Sequence, residues 1–282
     1  MSFAALGANI FVTTNPLCSP DHAPPAFVYN AETAALTVGP RVPETMSDLG
    51  SCMGVGDMLY DLKSMNLDDA FLRALSYPEQ WDPAMEWSWN PVPLAAAPNP
   101  YEGSEILSYA LHPDGRTIVV SGGPSTHTFD TSNGAWKHLG GWSLPFRGQA
   151  YFDADLDAWV GLHYEHDGHV CCCPVASMAA RPPECKMLVD RLIRRDDEKE
   201  PKHWPGVWRQ AVSLTYMGDS RFALVENVPR SEDFNDGAVL HVTVFGLRYD
   251  RRGELQTKAR RATRSYAVSK NTPLFCHAAF WM

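Results

Sequence analysis

Short apolar runs, broken every few residues by polar turn formers, dominate the chain and predict strands. Phe27-Val28-Tyr29-Asn30 leading to Leu36 and His127-Thr128-Phe129-Asp130 leading to Trp136 share one pattern. In each, an apolar strand ends at Asn or Asp, a few polar residues turn the chain, and a large apolar residue opens the next strand. Gly and Pro follow, and then a second hairpin. It covers residues 51–62 with a turn at Gly56-Asp57 in the first case, and residues 149–162 with a turn at Asp155-Leu156-Asp157 in the second. A third unit joins Trp87-Ser88-Trp89-Asn90 to a hairpin over residues 106–120. Its turn is His112-Pro113-Asp114-Gly115-Arg116, in which Pro113 presets φ and Gly115 accepts a positive φ. A fourth takes residues 169–175 as a strand and residues 213–226 as a hairpin through Gly218-Asp219-Ser220. Final strands are expected at 239–247, 255–257 and 265–268, with an N-terminal pair over residues 4–12 split at Gly7.

Hairpins recurring roughly 40–60 residues apart match the spacing of four-stranded propeller blades. The expectation is an all-β, kelch-like β-propeller of about five (five or six) blades, forming a single domain over residues 1–282. Two helical insertions are expected to interrupt it. Residues 66–75 place Asn66 at an N-cap, Asp68 and Asp69 in the first turn, and Leu67, Phe71 and Leu75 as apolar positions. Residues 186–195 place Leu188, Leu192 and Ile193 on one helical face, followed by an exposed loop over 194–203.

Several of these stretches resemble a grass-plant family known as a domain of unknown function (1668 type) with kelch-like β-propeller character. The resemblance lies in residues 108–118 (Ser-Tyr-Ala-Leu-His-Pro-Asp-Gly-Arg-Thr-Ile), in Gly148-Gln149-Ala150-Tyr151-Phe152-Asp153, and in residues 156–162 around Trp159. It continues through residues 240–247 and Ser265-Tyr266-Ala267-Val268-Ser269. It implies plant origin and a propeller-like shape, with this chain shortened at its N-terminus. It brings no catalytic residues.

Composition narrows the function classes. A formal net charge of −9 excludes a general nucleic-acid binder, which needs a basic face. No apolar run reaches the length of a membrane-spanning helix. Met1 to Leu17 carries no Lys or Arg ahead of its apolar part, so it does not read as a secretory signal. The seven cysteines are odd in number, and Cys171-Cys172-Cys173 are consecutive. Free thiols in a reducing compartment follow, hence a cytoplasmic or nuclear protein.

The sharpest candidate for chemistry is the stretch from His163 to Cys173, which holds His163, His166, His169 and three cysteines. Imidazole and thiolate suit Zn²⁺ or Cu⁺. However, Asp167-Gly168 makes a tight turn, and Cys171 and Cys173 face opposite to Cys172, so a turn with buried thiols is favoured over a metal site. Asp153-Ala154-Asp155-Leu156-Asp157 opens like a calcium loop but has Ala158 and Tyr164 at the positions that need Gly and an acidic ligand. It reads as a polar turn. Gly122-Gly123-Pro124-Ser125 lacks the Lys of a phosphate loop, and no nucleophile elbow occurs. The acidic group Glu226, Glu232, Asp233 and Asp236 reads as a solvated face, and the basic residues 258–264 as a strand edge kept from pairing.

Trp81, Trp87, Trp89, Trp136, Trp142 and Trp159 are expected between blades. Trp204 and Trp208, beside Arg194, Arg195 and Arg209, have the composition of a binding hot spot. The expected function is therefore a non-enzymatic protein–protein interaction module, with no cofactor, binding its partner through a propeller face or the inserted loops. The alternative is a metal-binding or enzymatic propeller using the His163–Cys173 stretch or a central-channel pocket.

Overall fold

The computed structural model describes residues 2–13, 26–39, 51–62, 73–76, 88–91, 100–101, 106–166, 168–175, 181–194, 212–230, 237–258, 261–268 and 277–282. All regular structure among them is β, and none of it is helix. No helix is long and apolar enough to cross a membrane. The chain divides into two compact units, one formed mainly by Met1–Leu144 and the other by Pro145–Ala176 with Pro183–Trp281.

In the first unit, consecutive strands pair antiparallel in chain order. The first meander is β1 (Ser2–Leu6), β2 (Asn9–Thr13), β3 (Phe27–Asn30) and β4 (Ala35–Val38). The second is β5 (Cys52–Val55), β6 (Met58–Asp61), β7 (Arg73–Ser76) and β8 (Ser88–Pro91). The third is β9 (Ile106–Leu111), β10 (Thr117–Gly122), β11 (Ser125–Asp130) and β12 (Ala135–Gly140). The second unit repeats the design with β13 (Phe146–Asp153), β14 (Ala158–His163), β15 (Val170–Pro174) and the short β16 (Lys186–Met187). Its last sheet is β17 (Val212–Tyr216), β18 (Arg221–Pro229), β19 (Ala238–Tyr249) and β20 (Leu255–Thr257). Here β21 (Ala262–Val268) pairs with β19 as well. A meander of four antiparallel strands is the blade of a β-propeller, and the fold is of that all-β class.

Turn chemistry sets the hairpins. Between β9 and β10, Asp114 accepts the N–H of Arg116 and of Thr117, both at 2.9 Å, and the Thr117 hydroxyl at 2.7 Å. Partial burial opposes ionisation, but these donors and nearby His112 outweigh it and bring the Asp114 carboxyl down to about 2. Gly115 sits at φ +74, as its turn requires.

Each sheet feeds alternate side chains to different cores. In the second meander Cys52 and Leu59 pack with Ala4, Leu6, Phe11 and Val28 of the first. The intervening Met53 and Tyr60 pack with Ile118, Val120 and Phe129 of the third. In the second unit Ala158, Val160 and Leu162 of β14 join Val170 and Cys172 against Phe222, Leu224, Phe245 and Leu247. The other face of β14 carries Trp159, fully buried, and Gly161. A Cβ on Gly161 would stand 2.7 Å from the Phe146 ring, so the ring occupies the space a side chain would need.

Where the two expected helical insertions are described, they are strand or irregular chain and not helix. Leu75 lies in β7, opposite Leu59, and residues 63–72 lie outside the described residues. Lys186 and Met187 pair with Cys172 and Cys171, and residues 188–194 run on without regular structure. Leu188, Leu192 and Ile193 are buried as their spacing implied. The open edge of β15 offers hydrogen bonds to Lys186 and Met187 that a helix would have to replace, and the apolar residues reach the core without one.

A polar tie joins the two sheets of the second unit. The Ser220 hydroxyl, in a residue at φ +54, lies 2.8 Å from Asp153 Oδ1 and 3.2 Å from Asp155 Oδ2, while Asp153 Oδ1 also accepts the Leu156 N–H. Asp153 is fully buried, so its hydrogen bonds offset a large desolvation cost. Ser220→Ala is expected to lower the unfolding free energy by about 1–3 kcal/mol in denaturant titration, because a buried carboxylate loses a donor. Gly161→Ala is expected to cost about 1–3 kcal/mol by overpacking against Phe146, read as a lower thermal midpoint.

Candidate functional site

The stretch from His163 to Cys173 folds as the turn and strand that its sequence implied. His163 N–H donates to His169 O at 2.8 Å and His169 N–H to His166 O at 3.0 Å, closing the loop between β14 and β15, where Gly168 takes φ +76. His163 Nδ1 accepts the backbone N–H of Glu165 and of His166, each at 3.1 Å. That assigns the ring hydrogen of the neutral imidazole to Nε2. The rings of His163 and His166 stack at 4.9 Å, and His166 meets His169 edge-on at 6.1 Å. Burial and, after it, neighbouring His166 hold His163 below its ordinary value, with Glu165 pulling the other way and His169 adding to the depression.

The three consecutive cysteines are fully buried and alternate across β15. Cys172 enters the core, with its sulfur 3.3 Å from the Tyr249 hydroxyl. Cys171 and Cys173 take the opposite face, level with Gly161 and Trp159. Among the described residues no three His, Cys, Asp or Glu side chains converge as metal ligands. The Asp153–Asp157 segment is a turn, with Asp157 at φ +48.

Of the residues singled out for partner binding, Arg194 is exposed at the end of the described segment. Its backbone N–H is held by Glu226 Oε2 at 2.9 Å. Its charge, second to burial, depresses the neighbouring His241. Arg195, Trp204, Trp208 and Arg209 lie outside the described residues, as do Trp81 and Trp87. Four of the tryptophans expected between blades serve packing: Trp159 and Trp142 are buried, Trp136 lies 4.9 Å from Phe129 between ring centroids, and Trp89 packs against the core shared by the first two sheets. Of the acidic group read as a solvated face, Glu226 is buried, whereas Glu232, Asp233 and Asp236 lie outside the described residues.

One surface was missed in the sequence. On β3 and β4, Phe27 pairs with Val38 and Tyr29 with Leu36, which sets all four side chains on one face. That face is open: Phe27 and Tyr29 are 39% exposed, Leu36 63% and Val38 69%. Val28, between the two aromatics, points the other way into the core. The alternation on β3 is visible in the sequence, but it reads equally as a core face, and only the position of the sheet shows which side is covered.

The His163 ring generates a pH prediction. Its folded value lies below the ordinary 6.5, so as pH falls below 6.5 the unfolded chain takes up the proton first. The stability supplied by the neutral ring is complete above that value and is lost as pH drops through the folded one. Asn can present an acceptor near the Nδ1 position but does not titrate. His163→Asn is therefore expected to give a shallower fall of thermal midpoint between pH 7 and pH 5 than the parent chain.

No curated protein matches the chain in sequence. Among solved structures it is similar to the extracellular domain of a putative one-component system from B. thetaiotaomicron, at 10% identity and TM-score 0.41 over 96% of this chain. It spans only 33% of that chain's length. It is also similar to the periplasmic gluconolactonase PpgL of Pseudomonas aeruginosa, at 14% identity and TM-score 0.45, covering 93% of this chain and 68% of that one. Hsv2 of Kluyveromyces lactis is similar at 10% identity and TM-score 0.33, covering 93% and 98%. Likenesses of this degree say nothing about what the chain binds. A family model described as a protein of unknown function, DUF1668, matches residues 1–266, and the chain belongs to that family.

Proposed function

We propose that this chain is a non-enzymatic interaction module that holds a protein partner on the open face of its first sheet. The observation that carries the proposal is the contiguous apolar ladder Phe27–Val38 and Tyr29–Leu36, exposed on adjacent strands. Single apolar residues on a surface need no explanation, but a registered group of two aromatic and two aliphatic side chains has the make-up of an interface centre. Tyr29 adds a hydroxyl to a large apolar body, a combination that is enriched at binding hot spots. The face lies on a sheet anchored from behind by Val28 and Phe11, so its side chains are presented without the ordering cost of a loop. The stretch of sequence beyond Arg194, with Trp204, Trp208, Arg195 and Arg209, is a second contact region in this reading. A reducing intracellular compartment, cytoplasmic or nuclear, suits the free thiols.

The test is quantitative affinity capture from an extract of the source tissue, comparing the parent chain with Tyr29→Asp/Leu36→Asp. Both positions are exposed, so the double variant is expected to keep its thermal midpoint within a few degrees. It is expected to lose at least about tenfold in retention of whatever partner the parent chain enriches, the scale of one or two hot-spot side chains. Equal retention by both chains would remove this face from the proposal. Failure of the parent chain to enrich any partner over a scrambled-surface control would remove the interaction reading itself.

A further inference from the structure

The third sheet carries a pair of imidazoles that neither the turn at His163 nor the apolar ladder of the first sheet uses. The register of β11 and β12 sets His127 directly across from His138, and Phe129 across from Trp136 two places further along. Period-two alternation puts both pairs on one face. Phe129 is fully buried, His127 half-buried and His138 exposed, so this face runs from the core to water. A register shift between Thr126 and His127 interrupts the ladder immediately beyond the histidines. Irregularities of this kind re-aim the side chains beside them. The two imidazole centroids stand 5.0 Å apart, with the ring planes at 69°.

Tyr101 fixes how His127 presents itself. Its hydroxyl oxygen lies 2.6 Å from Val120 O, 3.2 Å from Ser125 O and 2.9 Å from His127 Nδ1. The one hydroxyl hydrogen belongs with the closer carbonyl, because two acceptor oxygens 2.6 Å apart would repel without it. The Tyr101 oxygen then accepts the Nδ1–H of His127, which leaves the lone pair of the neutral ring on Nε2. The Tyr101 ring also meets His127 edge-on at 5.1 Å and Trp136 at 5.9 Å, and so packs the imidazole in place. Burial and, after it, neighbouring His138 hold His127 below its ordinary value, so the ring is neutral near neutral pH. A neutral imidazole whose other ring N–H is held by a fixed oxygen is the state in which histidine binds metals.

We propose that His127, through Nε2, and His138 form a two-imidazole site for a divalent transition metal of the Zn²⁺ class, with water in the remaining positions. Two imidazoles bound to one tetrahedral Zn²⁺ at about 2.0–2.1 Å have their ring centroids about 5 Å apart, the separation that β11 and β12 already impose. Each ring can rotate about its own metal–nitrogen bond, so an angle of 69° between the planes suits a shared ion. His138 is exposed, and its ring can turn either nitrogen to the ion without disturbing the core. Tyr101 acts as a positioning residue, holding the His127 tautomer from behind. Ca²⁺ and Mg²⁺, which take oxygen ligands, do not suit a pair of imidazoles.

The test titrates the isotope-labelled chain with Zn²⁺ alone and follows the histidine rings in long-range proton–nitrogen correlation spectra. These spectra report each ring separately, so metal held by thiols or by the other histidines does not confuse the result. The expected outcome is a joint, saturable shift of His127 Nε2 and one His138 ring nitrogen, with His127 Nδ1 keeping its proton, and no such shift with Mg²⁺. His138→Gln changes an exposed side chain and is expected to keep the thermal midpoint, yet to weaken the Zn²⁺ response of His127 by more than about tenfold. Tyr101→Phe is expected to weaken Zn²⁺ by about tenfold and to let the second His127 tautomer appear in the metal-free spectrum, a signature that lost packing alone would not give. An unchanged His127 response in His138→Gln would overturn the proposal. So would two rings that shift independently, or no shift at either ring in millimolar Zn²⁺.

Discussion

A four-stranded antiparallel sheet has two broad faces and cannot cover either by itself, so each meander of this chain depends on a neighbour for burial. That constraint explains the distribution of side chains better than any single contact. Cys52 and Leu59 serve one core while Met53 and Tyr60, one residue along, serve another. In β14 all six residues are buried, because both faces are occupied. Stacking also dictates the small residues. Gly161 stands where Phe146 lies across the sheet, and a Cβ on Gly140 would run into the Trp142 indole.

Once both faces of a sheet are committed to packing, chemistry is left to its turns, its edges and whatever face has no neighbour. The polar groups obey this. Asp114 and His163 spend their acceptor capacity on backbone N–H groups of their own turns. Asp153 is buried with its Oδ1 met by the Ser220 hydroxyl and the Leu156 N–H. The face of β3 and β4 is different in kind: its side chains are apolar, in register and open.

The strands and turns were legible because both have local causes. Gly56-Asp57, Asp114-Gly115 and Gly218-Asp219-Ser220 mark the hairpins that β5–β6, β9–β10 and β17–β18 form. Residues 188–193 misled for an equally physical reason. A spacing of four and five between apolar residues suits one side of a helix, but it also suits an irregular chain laid over a core. Nothing local reports that β15 has an open edge waiting for Lys186 and Met187. The candidate site was legible only in part, since the turn at His163 could be read from Gly168 and the exposed ladder could not be told from a buried one.

The amino-acid sequence by itself therefore determined the class of the protein: alternating apolar residues and turn formers specify short antiparallel strands through steric and hydrogen-bonding preferences that act within a few residues. Tertiary structure decided which faces are covered and that residues 186–187 are strand. Those outcomes follow from burial and edge pairing between segments separated along the chain, and period-two alternation is the same whether the face it marks meets a neighbouring sheet or water.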